Sequence, residues 1–209
     1  MNNKYTLEQL FSAPVYNSRV NLNIKPYLNL CLKEKRRLNN DNYDGEKWEN
    51  TSAGSKNKYV LDKKQFKDLK NEILKHVNIY GKDILEYSND FKITTSWISF
   101  TDPNCKAHLH RHRNCVFSGI VYLQTEENSG NLVFEDYKNL NDIFLNIKNY
   151  NIFNSELWYY KPFNSKIIIF PSHLFHRIDK NKSKIIRVSI AFNVMPYGAF
   201  GEGDSSLVI

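Results

Sequence analysis

Apolar residues recur at helical spacing in the first part of the chain and at every second position in much of the rest. Phe66, Leu69, Ile73, Leu74 and Val77 fall on one helical face. Asp62, with Gln65 three residues on, reads as an N-terminal cap. The spacing therefore predicts a helix to about Tyr80, where Gly81 offers a stop and 82–87 adds another turn or two. His76 reads as an ordinary surface residue of that helix. Upstream, Leu28, Leu30 and Leu32 allow a helix over 21–38 if Pro26 lies in its first turn. Residues 7–20 read as an irregular arm because Pro14 interrupts any helix, and 39–58 reads as a polar loop.

At Phe91 the period changes. Phe91, Ile93, Thr95 and Trp97 alternate with Lys92, Thr94 and Ser96, the pattern of a half-buried strand. Further strands are predicted over 115–124, 131–135, 157–160, 166–170 and 185–194. Glu126-Glu127-Asn128-Ser129-Gly130 is a turn signal, and 137–155 is an Asn-rich insertion of the kind that covers a site. Helices followed by strands predict a mainly β, α+β protein, an antiparallel sandwich or closed barrel with N-terminal helices. Three parts are expected: an arm and helices over 1–90, a β core over 91–195 and a tail over 196–209.

A chain of 209 residues is long enough to bury one sizeable core. The formal net charge of +7 invites an anionic partner, whether nucleic acid, acidic lipid or a carboxylate substrate. Lys63, Lys64, Lys67 and Lys70 read instead as the solvated face of a helix, so nucleic acid receives weak support. Cys31, Cys105 and Cys115 are odd in number and lack C-x-x-C spacing, which argues against a disulfide framework or a cysteine zinc site and fits a reducing cytoplasm. No run approaches the roughly 18 apolar residues of a membrane span and no N-terminal apolar core marks a signal peptide, so a soluble protein away from membranes is expected.

Candidate chemistry gathers in His108-Leu109-His110-Arg111-His112-Arg113-Asn114. In extended backbone residues i, i+2 and i+4 share a face, so these imidazoles point one way. His176, within Phe170-Pro171-Ser172-His173-Leu174-Phe175-His176, brings a further imidazole from a later strand. Iron(II) oxygenases usually take two histidines and a carboxylate on one octahedral face. Here His110-Arg111-His112 stands where His-x-Asp or His-x-Glu would be expected. His108 with His110 is an alternative pair, Glu135 or Asp136 an alternative carboxylate, and imidazole suits iron, zinc, copper and nickel alike.

Arg187 shares a strand face with Ser189 and Ala191, which makes Arg187 and Ser189 a candidate carboxylate clamp. The competing reading is a surface salt bridge. Trp97 and Trp158 read as core residues, and His173 as a surface or outer-shell one. Ser118-Gly119 is not a G-x-S-x-G elbow, and Gly198 to Gly203 precede no helix, which disfavours serine-hydrolase and phosphate-loop chemistry.

Taken in order, Trp97, His110-Arg111-His112-Arg113-Asn114, Ser118-Gly119-Ile120-Val121-Tyr122-Leu123, Gly130-Asn131-Leu132-Val133-Phe134, Phe170 to His176 and Arg187-Val188-Ser189-Ile190-Ala191-Phe192-Asn193 resemble the 2-oxoglutarate and iron(II)-dependent oxygenase family of bacteria and phages. The resemblance covers about 91–193. It implies a double-stranded β-helix, a cupin-like jelly roll, binding iron(II) through His110, His112 and His176. It also implies 2-oxoglutarate held by Arg187 and Ser189, with Tyr122 and Asn114 lining its pocket. The implied reaction hydroxylates an unidentified small-molecule or protein substrate with molecular oxygen, releasing succinate and carbon dioxide. Rival expectations are a cupin-like metalloprotein indifferent to 2-oxoglutarate and a non-catalytic jelly-roll binding module.

Overall fold

The computed structural model describes residues 11–36, 51–136 and 145–208. In chain order its principal elements are β1 (Tyr16–Arg19), α1 (Lys25–Leu32), β2 (Ala53–Gly54), α2 (Lys67–Asn78), β3 (Asp90–Thr101), β4 (Ala107–His110), β5 (Phe117–Gln124), β6 (Leu132–Glu135), β7 (Leu157–Tyr160), β8 (Lys166–Pro171), β9 (Phe175–Ile178), β10 (Arg187–Tyr197), β11 (Ala199–Phe200) and β12 (Leu207–Val208). One sheet has the order β1-β8-β5-β10-β3-β2 and a smaller one the order β4-β9-β6-β7, while β11 and β12 pair separately. Pairing is antiparallel in both large sheets. From β3 to β10 the chain passes back and forth between the sheets, which gives the expected double-stranded β-helix.

Each face of the six-stranded sheet is covered. Ile98, Phe100, Val121, Ile169, Ile190 and Phe192 pack toward the helices, meeting Leu69, Ile73 and Val77 of α2. Ile120, Tyr122, Ile168 and Phe170 face the smaller sheet, where they meet Leu132, Phe134 and Ile178. Burial on both sides explains why β5 and β8 read as unbroken apolar runs rather than alternations. Gly119 sits where the Phe192 ring crosses β5, and a methyl group there would overlap the ring.

The helical face places Phe66, Leu69, Ile73 and Val77 at 1% exposure or less. The helix itself begins late, after short 3-10 turns at Val60–Asp62 and Lys64–Phe66. It continues into a π-helical turn, Ile79–Ile84, the further turn expected beyond Tyr80, and Gly81 lets the Phe91 ring pack directly on the backbone there. His76 is not a surface residue: β1 covers it, and Tyr16 Oη lies 2.7 Å from its Nδ1.

The arm supplies β1, which carries no apolar alternation yet pairs along the edge of β8 from Tyr16↔Ile169 to Arg19↔Lys166. β2 likewise pairs with β3, so two strands of the larger sheet come from residues 1–90. Residues 37–50 of the polar loop and 137–144 of the insertion lie outside the described residues. Cys31, Cys105 and Cys115 are free thiols, and among the described residues no helix is long and apolar enough to cross a membrane.

Candidate metal and cosubstrate site

Strand register brings the histidines together. On the smaller sheet His110 of β4 stands directly opposite His176 of β9, and His176 opposite Phe134 of β6. His112 lies just past β4, where its backbone N–H donates to the Ser172 carbonyl at 3.0 Å. Ser172 in turn donates its N–H to the Val116 carbonyl at 3.0 Å, so the turn after β8 ties the His112 segment to the larger sheet. The ligand atoms of His110, His112 and His176 all lie within 4.8 Å of one another. Among the described residues they form the one group of three or more His, Cys, Asp or Glu side chains able to hold a metal ion.

Two of the rings have their tautomer set by the backbone. His110 Nδ1 lies 2.7 Å from the His108 carbonyl and His176 Nδ1 lies 2.9 Å from the Leu174 carbonyl. A carbonyl only accepts, so in each ring Nδ1 carries a proton and Nε2 is the nitrogen left to face a metal. Burial, followed by the nearby His110, pushes the His112 imidazole down to about 4 and that of His176 to about 3. Both rings are therefore neutral at pH 7, the state that binds metals.

The other sequence candidates fall elsewhere. Glu135 alternates away from Phe134 and pairs with Arg177, which also pairs with Asp179. Asp136 follows Glu135 past the end of β6 and is likewise no part of the histidine cluster. His108 has its Nε2 3.4 Å from Thr51 Oγ1 and is not among the clustered imidazoles.

The second end of the site is built on β10. Arg187 lies opposite Thr101 of β3, and Ser189 stands between Ser99 of β3 and Tyr122 of β5. Arg187 is fully buried, with no carboxylate beside it among the described residues: Nη1 donates to the Ser129 and Gly130 carbonyls at 3.2 and 3.0 Å, and Nη2 to Thr101 Oγ1 at 2.8 Å. Gly130, at φ +90°, brings its turn so close to the Asp179 carbonyl that a methyl group would overlap it. Arg187 Nε, Tyr122 Oη and Ser189 Oγ are buried without a hydrogen-bond partner among the described residues. Burial holds the Tyr122 phenol up at about 12, partly opposed by Arg187.

A cleft of about 460 Å³ opens between the sheets. His110, exposed at its mouth, lines it with His112 and His176, and Ile120, Ala191 and Ser99 line it from the larger sheet. The row Tyr122–Ser189–Ser99 is the next one along the larger sheet, so Ser99 joins the cleft to the buried polar end. Trp97 is a wall residue rather than core, its ring centroid 5.6 Å from that of His112. Trp158 is 42% exposed on the inward face opposite Phe134. Asn114 is exposed at φ 57° and does not line the cleft, a backbone angle that Asn tolerates better than most residues.

Sequence reasoning missed the wall formed by Thr51, Ser52, Ala53 and Gly54, and the part played by Thr101 and the Ser129-Gly130 carbonyls. Gly130 within the G-x-L-x-F run was the available signal for the latter. Nothing in the composition of 51–54 marked it.

The residues present fit both a divalent metal and a dicarboxylate. Three clustered imidazoles on one side of a cleft, fewer than an octahedral metal needs, suit a metal with open positions, and a buried guanidinium with orphaned neighbours calls for an anion. A family model described as "Putative 2OG-Fe(II) oxygenase" matches residues 95–193. No curated protein matches the chain by sequence.

Solved structures share the fold at low identity. The alpha ketoglutarate dependent epimerase SnoN from nogalamycin biosynthesis is 10% identical, with TM-score 0.62 over 90% of this chain and 79% of that one. HygX from Streptomyces hygroscopicus, with nickel, 2-oxoglutarate and hygromycin B bound, is 8% identical, with TM-score 0.62 over 88% and 83%. A prolyl-4-hydroxylase from Pseudomonas putida is 10% identical, with TM-score 0.58 over 88% and 94%. With its jelly roll, its three clustered imidazoles and its buried Arg187, the chain is similar over residues 95–193 to the family of 2-oxoglutarate- and iron(II)-dependent oxygenases.

Proposed function

We propose that the protein is a hydroxylase that couples conversion of 2-oxoglutarate to succinate and carbon dioxide with insertion of one oxygen atom into a substrate C–H bond. One observation carries this reading: three clustered imidazoles lining a cleft, two of them kept neutral by burial, and, farther along the same pair of sheets, a buried guanidinium with no carboxylate beside it among the described residues. His110 and His176 hold iron(II) through Nε2, together with His112. Arg187, Ser189 and Tyr122 take the distal carboxylate of 2-oxoglutarate. Iron(II) supplies the positions at which cosubstrate and oxygen meet. The chain supplies orientation and a wall against water.

Hydroxylation is favoured over epimerisation by the cleft lining. Epimerisation must return a hydrogen atom to the substrate carbon, a task suited to a tyrosine or cysteine in the wall. Among the described residues the cleft is lined by neither. Hygromycin B is bound in HygX and a peptide fragment in a Trichoplax adhaerens prolyl hydroxylase, so a small molecule and a protein side chain both fit this fold as substrate classes. The free thiols support a reducing, cytoplasmic setting.

The test is anaerobic titration of the metal-free protein with iron(II) and then 2-oxoglutarate, following the visible charge-transfer band of a chelated keto acid. We expect a band, followed by succinate on admission of oxygen and a product 16 mass units heavier once a substrate is found. Metal binding without the band would favour a cupin-like metalloprotein. No metal binding would reduce the imidazoles to a structural cluster.

A further inference from the structure

The guanidinium of Arg187 has five N–H protons, and the fold uses three. Two go to the Ser129 and Gly130 carbonyls and one to Thr101 Oγ1. Among the described residues this leaves the Nε proton and one on Nη2, and Nε and Nη2 share the edge of the fork that a carboxylate meets with two parallel bonds. Which edge stays free is decided by what holds the other side. Two of those holders are main-chain carbonyls, and Thr101 is the only side chain among them.

Thr101 is itself held. It is fully buried at the end of β3, and its carbonyl accepts from Asn181 Nδ2 at 2.8 Å. Its hydroxyl oxygen lies 2.8 Å from Ser52 Oγ. Ser52 donates its backbone N–H to the Lys106 carbonyl at 2.8 Å and lines the cleft, while Ala53 and Gly54 pair with β3. A short strap from outside the family-matched residues thus reaches the cosubstrate end of the site through a chain of two hydroxyls.

We propose that Thr101 and Ser52 are positioning residues for the cosubstrate: Thr101 fixes the rotation of the Arg187 guanidinium, and Ser52 fixes the Thr101 hydroxyl. The inference rests on the reading that Arg187 receives the distal carboxylate of 2-oxoglutarate. With Thr101 in place the Nε edge is presented without reorganisation when the dicarboxylate arrives. Without it, the guanidinium retains its charge and its burial but not its aim. Affinity for 2-oxoglutarate then falls, while the metal end of the cleft is untouched.

The experiment measures dissociation constants for iron(II) and for 2-oxoglutarate in the full chain under argon, for Thr101→Val, Thr101→Ser, Ser52→Ala and Arg187→Ala. Thr101→Val keeps the shape and removes the acceptor. We expect its affinity for 2-oxoglutarate to fall about tenfold or more, with iron(II) binding unchanged. Thr101→Ser restores affinity to near wild type, and Ser52→Ala shows a smaller loss of roughly two- to fivefold. In turnover the loss falls on KM for 2-oxoglutarate rather than on kcat.

If Thr101→Val binds 2-oxoglutarate as tightly as wild type while Arg187→Ala has lost it, the positioning role is wrong and the cosubstrate reading stands. If Arg187→Ala still binds normally, the cosubstrate reading itself fails. Should Thr101→Val not fold, Ser52→Ala decides: a loss of twofold or more supports the relay, and unchanged affinity overturns it.

Discussion

The two ends of the cleft solve opposite problems. At the mouth the imidazoles of His110 and His176 have their Nδ1 protons placed on backbone carbonyls two residues away, and burial keeps His112 and His176 neutral. Such an end costs little to fold without its metal, because its two more buried rings, His112 and His176, carry no charge. At depth, among the described residues, a fully buried guanidinium lacks a carboxylate, and its own Nε and the neighbouring Tyr122 Oη and Ser189 Oγ lack partners. Burying such groups unpaired is expensive. The difference teaches where ligand binding energy is most available: the mouth is preorganised for a metal, and the deep end is left incomplete for an anion.

The contrast is broken most completely from the mouth. Removing one of three ligands in His176→Ala should weaken iron(II) or zinc(II) binding by on the order of 100-fold or more, since even indirect supports of metal ligands are worth 10- to 100-fold. The keto-acid band should vanish with it, although Arg187 is intact. Titration calorimetry with zinc reads the first effect without any need for activity. Metal affinity within a few-fold of wild type would remove His176 from the ligand set.

Next in size is Arg187→Ala, which should leave metal affinity unchanged and lower 2-oxoglutarate affinity by about 100-fold or more, the scale of removing one partner of a buried charge pair. In the wild type, saturation with 2-oxoglutarate at about 100 times its dissociation constant should add roughly 2.7 kcal/mol of stability. The thermal shift should be absent in the variant. A shift of equal size in both would place the cosubstrate elsewhere.

Much of this contrast was legible in the sequence, and what was not has a physical reason. β5, β6, β7, β8 and β10 were readable because alternation or continuous apolarity records which faces are covered. β1 was not, because Tyr16-Asn17-Ser18-Arg19 is paired through its backbone along β8 and leaves no side-chain pattern. The three imidazoles were visible from spacing, but the role of the Phe-Pro-Ser turn in holding His112 depends on the Ser172 carbonyl, which any residue carries. The same is true of the Ser129 and Gly130 carbonyls behind Arg187. Tyr122 and Ser189 were legible as candidates, whereas their lack of partners is a property of the packed site alone.

A smaller effect sharpens the comparison at the deep end. Tyr122→Phe and Ser189→Ala each delete an unpartnered hydroxyl, so the metal-free protein should lose little stability or gain some. Each should nevertheless weaken 2-oxoglutarate binding by about fivefold, the worth of one hydrogen bond of about 1 kcal/mol. Stability and affinity moving in opposite directions is the mark of a group kept for a ligand. A loss of melting temperature with unchanged affinity would make both residues ordinary parts of the core.

His76 separates burial from readiness to bind a metal, and its effect should be the smallest. Like His176 it is buried and its pKa is lowered, chiefly by desolvation, with Glu72 opposing. Unlike His176 it has Tyr16 Oη and Glu72 against its two nitrogens, and no other imidazole clusters with it. Because its folded pKa lies below the ordinary value of 6.5, the unfolded chain takes up the proton first. Its contribution to stability is therefore fully present above about pH 6.5 and is lost as pH falls through the folded value. Denaturant midpoints for wild type and His76→Gln should converge as pH is lowered from 7 toward 5, and zinc should alter neither curve's dependence on His76. Parallel pH profiles would show that this imidazole titrates alike in the folded and unfolded chain. In that case burial alone would be a poor guide to the neutral state assigned to His112 and His176.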